Sequence, residues 1–189
     1  TEIGEHREAV ISVTIPEKPG SFRSFCGVLG RRNITEFNYR YADEGSARVF
    51  VGLSVVPGGE DLADLLKDLA RRNYPGEDLT DNEVAKLHIR YMVGGRAPGS
   101  LRDEKVYRVE FPERPGALSR FLSGLGQRWN ISMFHFRNHG AAYGRILVGI
   151  QLPRGERREF QQILEGLHYR YWEETDNRAY QLYLGRSTD

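Results

Sequence analysis

The chain has very little cysteine. Cys26 is its only one, which excludes an internal disulfide and sets a reducing compartment, the cytoplasm, as the expectation. It has no apolar run near the roughly 18 residues a membrane span needs, so no membrane partner is expected. It has almost no net charge: 27 basic against 26 acidic residues leave +1, which gives no electrostatic case for nucleic acid or an anionic membrane surface. The pairs Arg71-Arg72 and Arg157-Arg158 read as solvated helix surface. The first residues, TEIGEHREAV, lack both a starting Met and the form of a signal peptide, so the chain reads as a fragment or processed product. Neither Cys nor His is spaced for a metal, and no metal site is expected. His135 and His139 fall on a strand and the loop after it, where a spacing of four does not share a face. No nucleophile stands paired with a base, so no catalytic residue is assigned and an independent enzyme is disfavoured.

What is present is a core and a repeat. Hydrophobic residues make up 39% of the chain and aromatics 11%, enough to pack one large domain or two small ones. VISVTI (10–15) matches VYRVEF (106–111), an offset of 96, and both alternate apolar residues on one strand face: Ile11, Val13, Ile15, then Tyr107, Val109, Phe111. Each strand runs into the same corner, PEKPG (16–20) or PERPG (112–116). Each corner opens a helix whose apolar residues recur at i, i+3, i+4, i+7: Phe22, Phe25, Cys26, Leu29, then Leu118, Phe121, Leu122, Leu125. On that stripe Cys26 is expected in the core. Gly30 and Gly126 suit the helix ends. Second strands follow at 34–41 and 131–138, then third strands carrying Val49, Val51, Leu53 and Ile146, Val148, Ile150. Second helices carry Leu62, Leu65, Leu66, Leu69 and Phe160, Ile163, Leu164, Leu167. TDN turns at 80–82 and 175–177 read as N-caps, and the final strands are placed at KLHIRY (86–91) and QLYLG (181–185).

The expected fold class is α+β. Two ferredoxin-like βαββαβ units, residues 1–91 and 105–189, would each have an antiparallel sheet with its helices on one face. Residues 92–104, rich in Gly and Pro, read as a linker. Their VGGRAPGS lacks the Gly-Lys-Ser/Thr ending of a phosphate loop.

The repeated corner has a physical use. The first amides of the helix at Gly20, Ser21, Phe22 and of that at Gly116, Ala117, Leu118 have no helical partner and sit at the positive end of the helix dipole. A carboxylate can be held there without a basic side chain. The alternative is that Pro-Gly simply turns the chain. Gly52 and Gly149, mid-strand and equivalent, imply a close approach by a ligand or by the other unit.

The order and spacing of EFNYRYAD (36–43), AKLHIRYMVGGR (85–96), FPERPGALSRFL (111–122), WNISMFHFRNHG (129–140) and YGR (143–145) resemble, nearly end to end, the ACT-like regulatory region of biosynthetic threonine deaminase (threonine ammonia-lyase), a pyridoxal-phosphate enzyme. The resemblance implies two ACT-like subdomains following a catalytic domain on the same chain. It also implies isoleucine as feedback inhibitor, valine as its competitor, and a homo-oligomer. The pyridoxal phosphate would belong to the catalytic domain, and no cofactor is expected in this chain. The resemblance places effector sensing on Tyr39 and Arg40, on the matching Phe136 and Arg137, and on Arg90. Phe136 departs from the commoner Tyr and loses a hydroxyl. A competing reading from the residues alone is an assembly module that binds nothing small.

Overall fold

The computed structural model of the chain describes residues 8–30, 32–42, 45–55, 61–92, 95–112, 114, 116–125, 127–137 and 143–185. The first copy comprises β1 (Glu8–Pro16), α1 (Ser21–Leu29), β2 (Ile34–Arg40), β3 (Ser46–Ser54), α2 (Asp61–Arg71) and β4 (Gly76–Asp78), then a π-helical turn (Ala85–Ile89) running into α3 (Arg90–Met92). The second comprises β5 (Glu104–Pro112), α4 (Ala117–Leu125), β6 (Ile131–Arg137), β7 (Tyr143–Gln151), α5 (Arg157–Gly166), β8 (Arg170–Glu173) and α6 (Arg178–Tyr183).

Each copy is an antiparallel ferredoxin-type unit, and the two sheets are one. The strands run β4-β1-β3-β2-β6-β7-β5-β8 in a single eight-stranded sheet. The join is the antiparallel pair β2–β6, in which Asn38 stands opposite His135. Those two residues also match in the repeat, at an offset of 97 after the one-residue insertion. A pseudo-twofold axis therefore passes through that pair, and each copy meets the other with the same strand.

The alternation in β1 and β5 sets which face is covered. Ile11, Val13, Ile15, Tyr107, Val109 and Phe111 are all buried in one core with the stripes of α1 and α4 and with Leu65, Leu69, Phe160 and Leu164. The core crosses the seam: Phe22 stacks on Phe134 at 5.8 Å between centroids, and Phe37 meets Phe134 edge-on at 5.3 Å. The linker region joins it through buried Ala97 and Leu101. Gly30 does end α1, at φ +65°, whereas Gly126 and His139 lie outside the described residues.

The final strands differ from expectation. Residues 86–91 are helical, and α6 holds 181–183. The edge of β1 is already paired with β4, and that of β5 with β8, so neither segment has a free strand to join. The edge strands arrive earlier because Asn73 (φ +62°) and His168 (φ +56°), equivalent left-handed residues, turn the chain out of α2 and α5. The TDN turns act as the sequence implies. Asn82 accepts from the Ala85 amide and Asn177 from the Ala179 amide, each at 2.9 Å, so a helix begins where a strand was expected. Thr80 and Thr175 accept from the Val10 and Val106 amides, at 3.2 and 3.0 Å. The four long helices do cover one face, but these short helical segments lie on the other. Ala85 packs there on Val10 and Phe50.

Candidate functional site

The two corners have the same backbone and different surroundings. At the first, Gly20 is left-handed (φ +85°), and the Ser24 amide donates to its carbonyl at 3.0 Å. A Cβ on Gly20 would lie 2.7 Å from Gln127 Cγ, so a side chain of the second copy sits on this corner. The space left there, beside Phe22, Leu122 and Trp129, is about 10 Å³. That holds one water and no amino acid. Ser21 is buried with its hydroxyl unpartnered. Phe22 packs on Tyr39 at 5.0 Å, and Tyr39 is 2% exposed. The Tyr39 hydroxyl donates to Glu17, whose other oxygen accepts from Asn130 of the second copy at 2.9 Å. Burial, and then the Glu17 charge, push the Tyr39 hydroxyl well above the ordinary tyrosine range.

At the second corner Gly116 is likewise left-handed (φ +83°), but it is exposed, and nothing lies within 4 Å of where its Cβ would be. The Arg120 amide donates to its carbonyl at 2.9 Å. Ala117 is buried and Leu118 half-buried. Phe136 is buried too, stacked on Phe111 at 6.1 Å. The structure thus gathers half-exposed Gly20 with buried Ser21, Phe22 and Tyr39 into one cluster under Gln127 and leaves the Gly116 corner open.

The three arginines lie elsewhere, on the face under the short helical segments. Arg40 is not an exposed strand arginine. It forms a two-pronged pair with Glu104 of the second copy, at 2.6 and 2.9 Å, and donates to the Leu184 carbonyl. Glu104 also accepts from Ser132 and Tyr180. Arg90 donates to Glu36 at 2.6 Å and to Glu8 at 3.1 Å. Burial alone would lower the Arg90 guanidinium, but Glu36 and Glu8 outweigh it and hold it above its ordinary value. Arg137, the counterpart of Arg40, is half-exposed and lies over the Tyr91 ring at 5.1 Å.

Glu8 and Glu104 are equivalent by the repeat, as are Thr35 and Ser132, and sequence reasoning missed all four. Thr35 donates to Glu8 at 2.6 Å, as Ser132 donates to Glu104. The mid-strand glycines make room for these pairs. A Cβ on Gly52 would lie 2.5 Å from Thr35 Oγ1 and 2.8 Å from Glu8, and one on Gly149 would lie 2.9 Å from Ser132 Oγ and 3.0 Å from Glu104. The close approach that Gly52 and Gly149 require is therefore by the protein's own side chains. A signal was available: a Glu, a hydroxyl and a Gly recur together at the repeat offset.

Cys26 is in the core, where burial pushes its thiol up to about 12. None of the four lysines is buried. Lys18 and Lys67 are exposed, and Lys86 and Lys105 are half-exposed. These surroundings do not fit a Schiff-base cofactor, which needs an amine in an enclosed, desolvated site.

Both copies match the family model described as the C-terminal regulatory domain of threonine dehydratase, over residues 1–89 and 95–184. The chain is 54% identical over 183 residues to a biosynthetic L-threonine dehydratase of Burkholderia multivorans, covering 97% of this chain and 36% of that protein. It is 50% identical to the Escherichia coli biosynthetic enzyme, covering 97% and 35%, and 40% identical to the mitochondrial threonine dehydratase of Saccharomyces cerevisiae, covering 96% and 33%. The chain thus spans about a third of the length of these relatives.

Proposed function

Because the chain belongs to the family of C-terminal regulatory domains of threonine dehydratase, we propose that it senses branched-chain amino acids on behalf of a catalytic part in a longer protein. In this reading isoleucine is the inhibitor and valine its competitor. The parent enzyme is a cytoplasmic homo-oligomer that converts threonine to 2-oxobutanoate and ammonia in isoleucine biosynthesis. Pyridoxal phosphate, held by the catalytic part, supplies the electron sink for that elimination. Residues 1–91 and 105–189 act as the two ACT-like subdomains, with 92–104 between them.

The observation that carries the reading is the family match across both copies. The open corner at Gly116 supports its location. There the Ala117 amide already donates to the Arg114 carbonyl at 3.1 Å, so the effector carboxylate meets the next amides of α4, those of Leu118 and Ser119, and its branched side chain lies along Leu118. Isoleucine differs from valine by one methylene, about 0.8 kcal/mol of transfer energy, so valine should bind only about fourfold more weakly. Such a small difference makes valine a competitor. Regulation follows only if the two ligands favour different states of the chain.

Calorimetric titration of the chain with each amino acid tests this. Saturable heat from both, with isoleucine the tighter, is expected. No heat from either while the chain remains folded would overturn the sensing role and leave the assembly reading. Sedimentation with and without isoleucine would then report on assembly.

A further inference from the structure

A cleft of about 610 Å³ opens on the second copy, between the start of β5, the turn before α5, and α6. That volume is in the ordinary range for a small-molecule site, about 300–1,000 Å³. Arg102, Lys105, Arg154 and Arg157 line it, against the carboxylates of Asp103 and Glu104. Glu104 is already held by Arg40, Ser132 and Tyr180. Arg157 is held by Glu173. Arg102, Lys105 and Arg154 have no ion-pair partner among the described residues. Asp103 is likewise in no ion pair among the described residues, so three unpaired cations face one unpaired carboxylate, an excess of two positive charges around one concavity in a chain of net charge +1.

We propose that this cleft is a second ligand site, for a small phosphate-bearing anion, distinct from the amino-acid corner at Gly116. Several separated cations match a multivalent anion, and the guanidinium fork matches phosphate oxygens in pairs. An amino acid fits poorly, because its ammonium group would meet the same cations. The cleft also touches the seam between the copies. Tyr180 lines it and donates to Glu104, which pairs with Arg40 next to Tyr39 on β2. An anion seated there bears on the contact that ties the second copy to the first.

The test is calorimetric titration of the chain with pyrophosphate at constant ionic strength. One saturable binding event is expected, with isoleucine not competing. Reversing the two exposed arginines, Arg102→Glu with Arg154→Glu, should weaken it at least about tenfold. Arg48→Glu with Arg71→Glu makes the same change in net charge on the first copy and should leave affinity within about twofold, since exposed charges that far away are screened. If the double reversal fails to fold, Arg154→Gln alone should still weaken binding about threefold. Three results would each overturn the proposal: no saturable heat at millimolar pyrophosphate, equal weakening by the two double variants, or displacement of pyrophosphate by isoleucine. The first two leave the amino-acid reading intact, because isoleucine is titrated separately.

Discussion

The two copies share a backbone and divide its uses. Arg40 and Arg137 are equivalent in sequence, yet Arg40 is buried in an ion pair with Glu104 across the seam, while Arg137 lies half-exposed over Tyr91. Their surroundings explain the split. Among the described residues Glu104 forms no ion pair with an arginine of its own copy, the position matching Arg90 being Gly185, and Arg40 of the first copy supplies the charge. Glu8 already has Arg90, so Arg137 is free to turn outward. The two frames match in backbone, and the difference between Arg90 and Gly185 goes with the difference in which arginine is buried.

The largest expected effect breaks that comparison directly. Arg40→Ala leaves Glu104 buried without its countercharge, at side-chain exposures of 3% and 7% for the pair. A loss of about 3–5 kcal/mol is expected in urea unfolding. Arg137→Ala removes a half-exposed cation–π contact and a 3.5 Å hydrogen bond to the Tyr91 hydroxyl and should cost about 0.5–1 kcal/mol. Equal losses would mean that the two copies are not differentiated in this way.

Glycines give the next test, with opposite signs. Gly52→Ala and Gly149→Ala each force a Cβ into a carboxylate–hydroxyl pair and should destabilise by about 1–3 kcal/mol. Gly27→Ala, on α1 with nothing within 4 Å, should instead stabilise by about 0.5–1 kcal/mol through helix propensity. A gain at Gly52 or Gly149 would remove the packing reason for a glycine in mid-strand.

Tyr39 and Phe136 differ by one hydroxyl, and alkaline pH reads that difference. The Tyr39 hydroxyl is raised in the folded state by burial and by Glu17. Its stabilising contribution is therefore complete below the unfolded tyrosine value, about 10, and is lost as pH rises above it, because only the unfolded chain can ionise there. Tyr39→Phe should cost about 1 kcal/mol at neutral pH and flatten the alkaline fall in stability. Phe136, lacking the group, contributes nothing to that slope. An unchanged slope in Tyr39→Phe would show that the hydroxyl titrates as if exposed.

The repeat was legible because alternation in strands and the i, i+3, i+4, i+7 stripe in helices are local signals, present twice. Ile11, Val13 and Ile15, and the stripe from Phe22 to Leu29, are buried as they imply. The closing strands were not legible. KLHIRY has strand-like residues, but whether it pairs depends on an edge that β4 had already taken, and that is not written in the segment itself. The join of the two sheets through β2 and β6 was hidden for a similar reason. Phe37 and Tyr39 signal one buried face, whereas the buried Glu36, Asn38 and Arg40 between them read as solvent-facing until Arg90 and Glu104 are placed over them. Of the site residues, the corners were found by their repetition, but that Gln127 covers only one of them is a property of the packed pair.

That difference between corners gives the smallest and most specific prediction. Gln127 lies against Gly20, and its deletion uncovers the first corner without touching the second. Gln127→Ala should change stability by only a few tenths of a kcal/mol, because it leaves the aromatic cluster beneath in place. In calorimetry the native chain should take one isoleucine, at Gly116. The variant should take a second, weaker one, held by its carboxylate alone, because the roughly 10 Å³ space beside Phe22 still admits no side chain. Gly116→Val, a β-branched residue forced to φ +83°, should abolish the first event and leave the second. One event in both Gln127→Ala and native chain would show that a free helix end is not sufficient to hold the carboxylate. Loss of all binding in Gln127→Ala would instead put Gln127 itself among the groups that touch the effector.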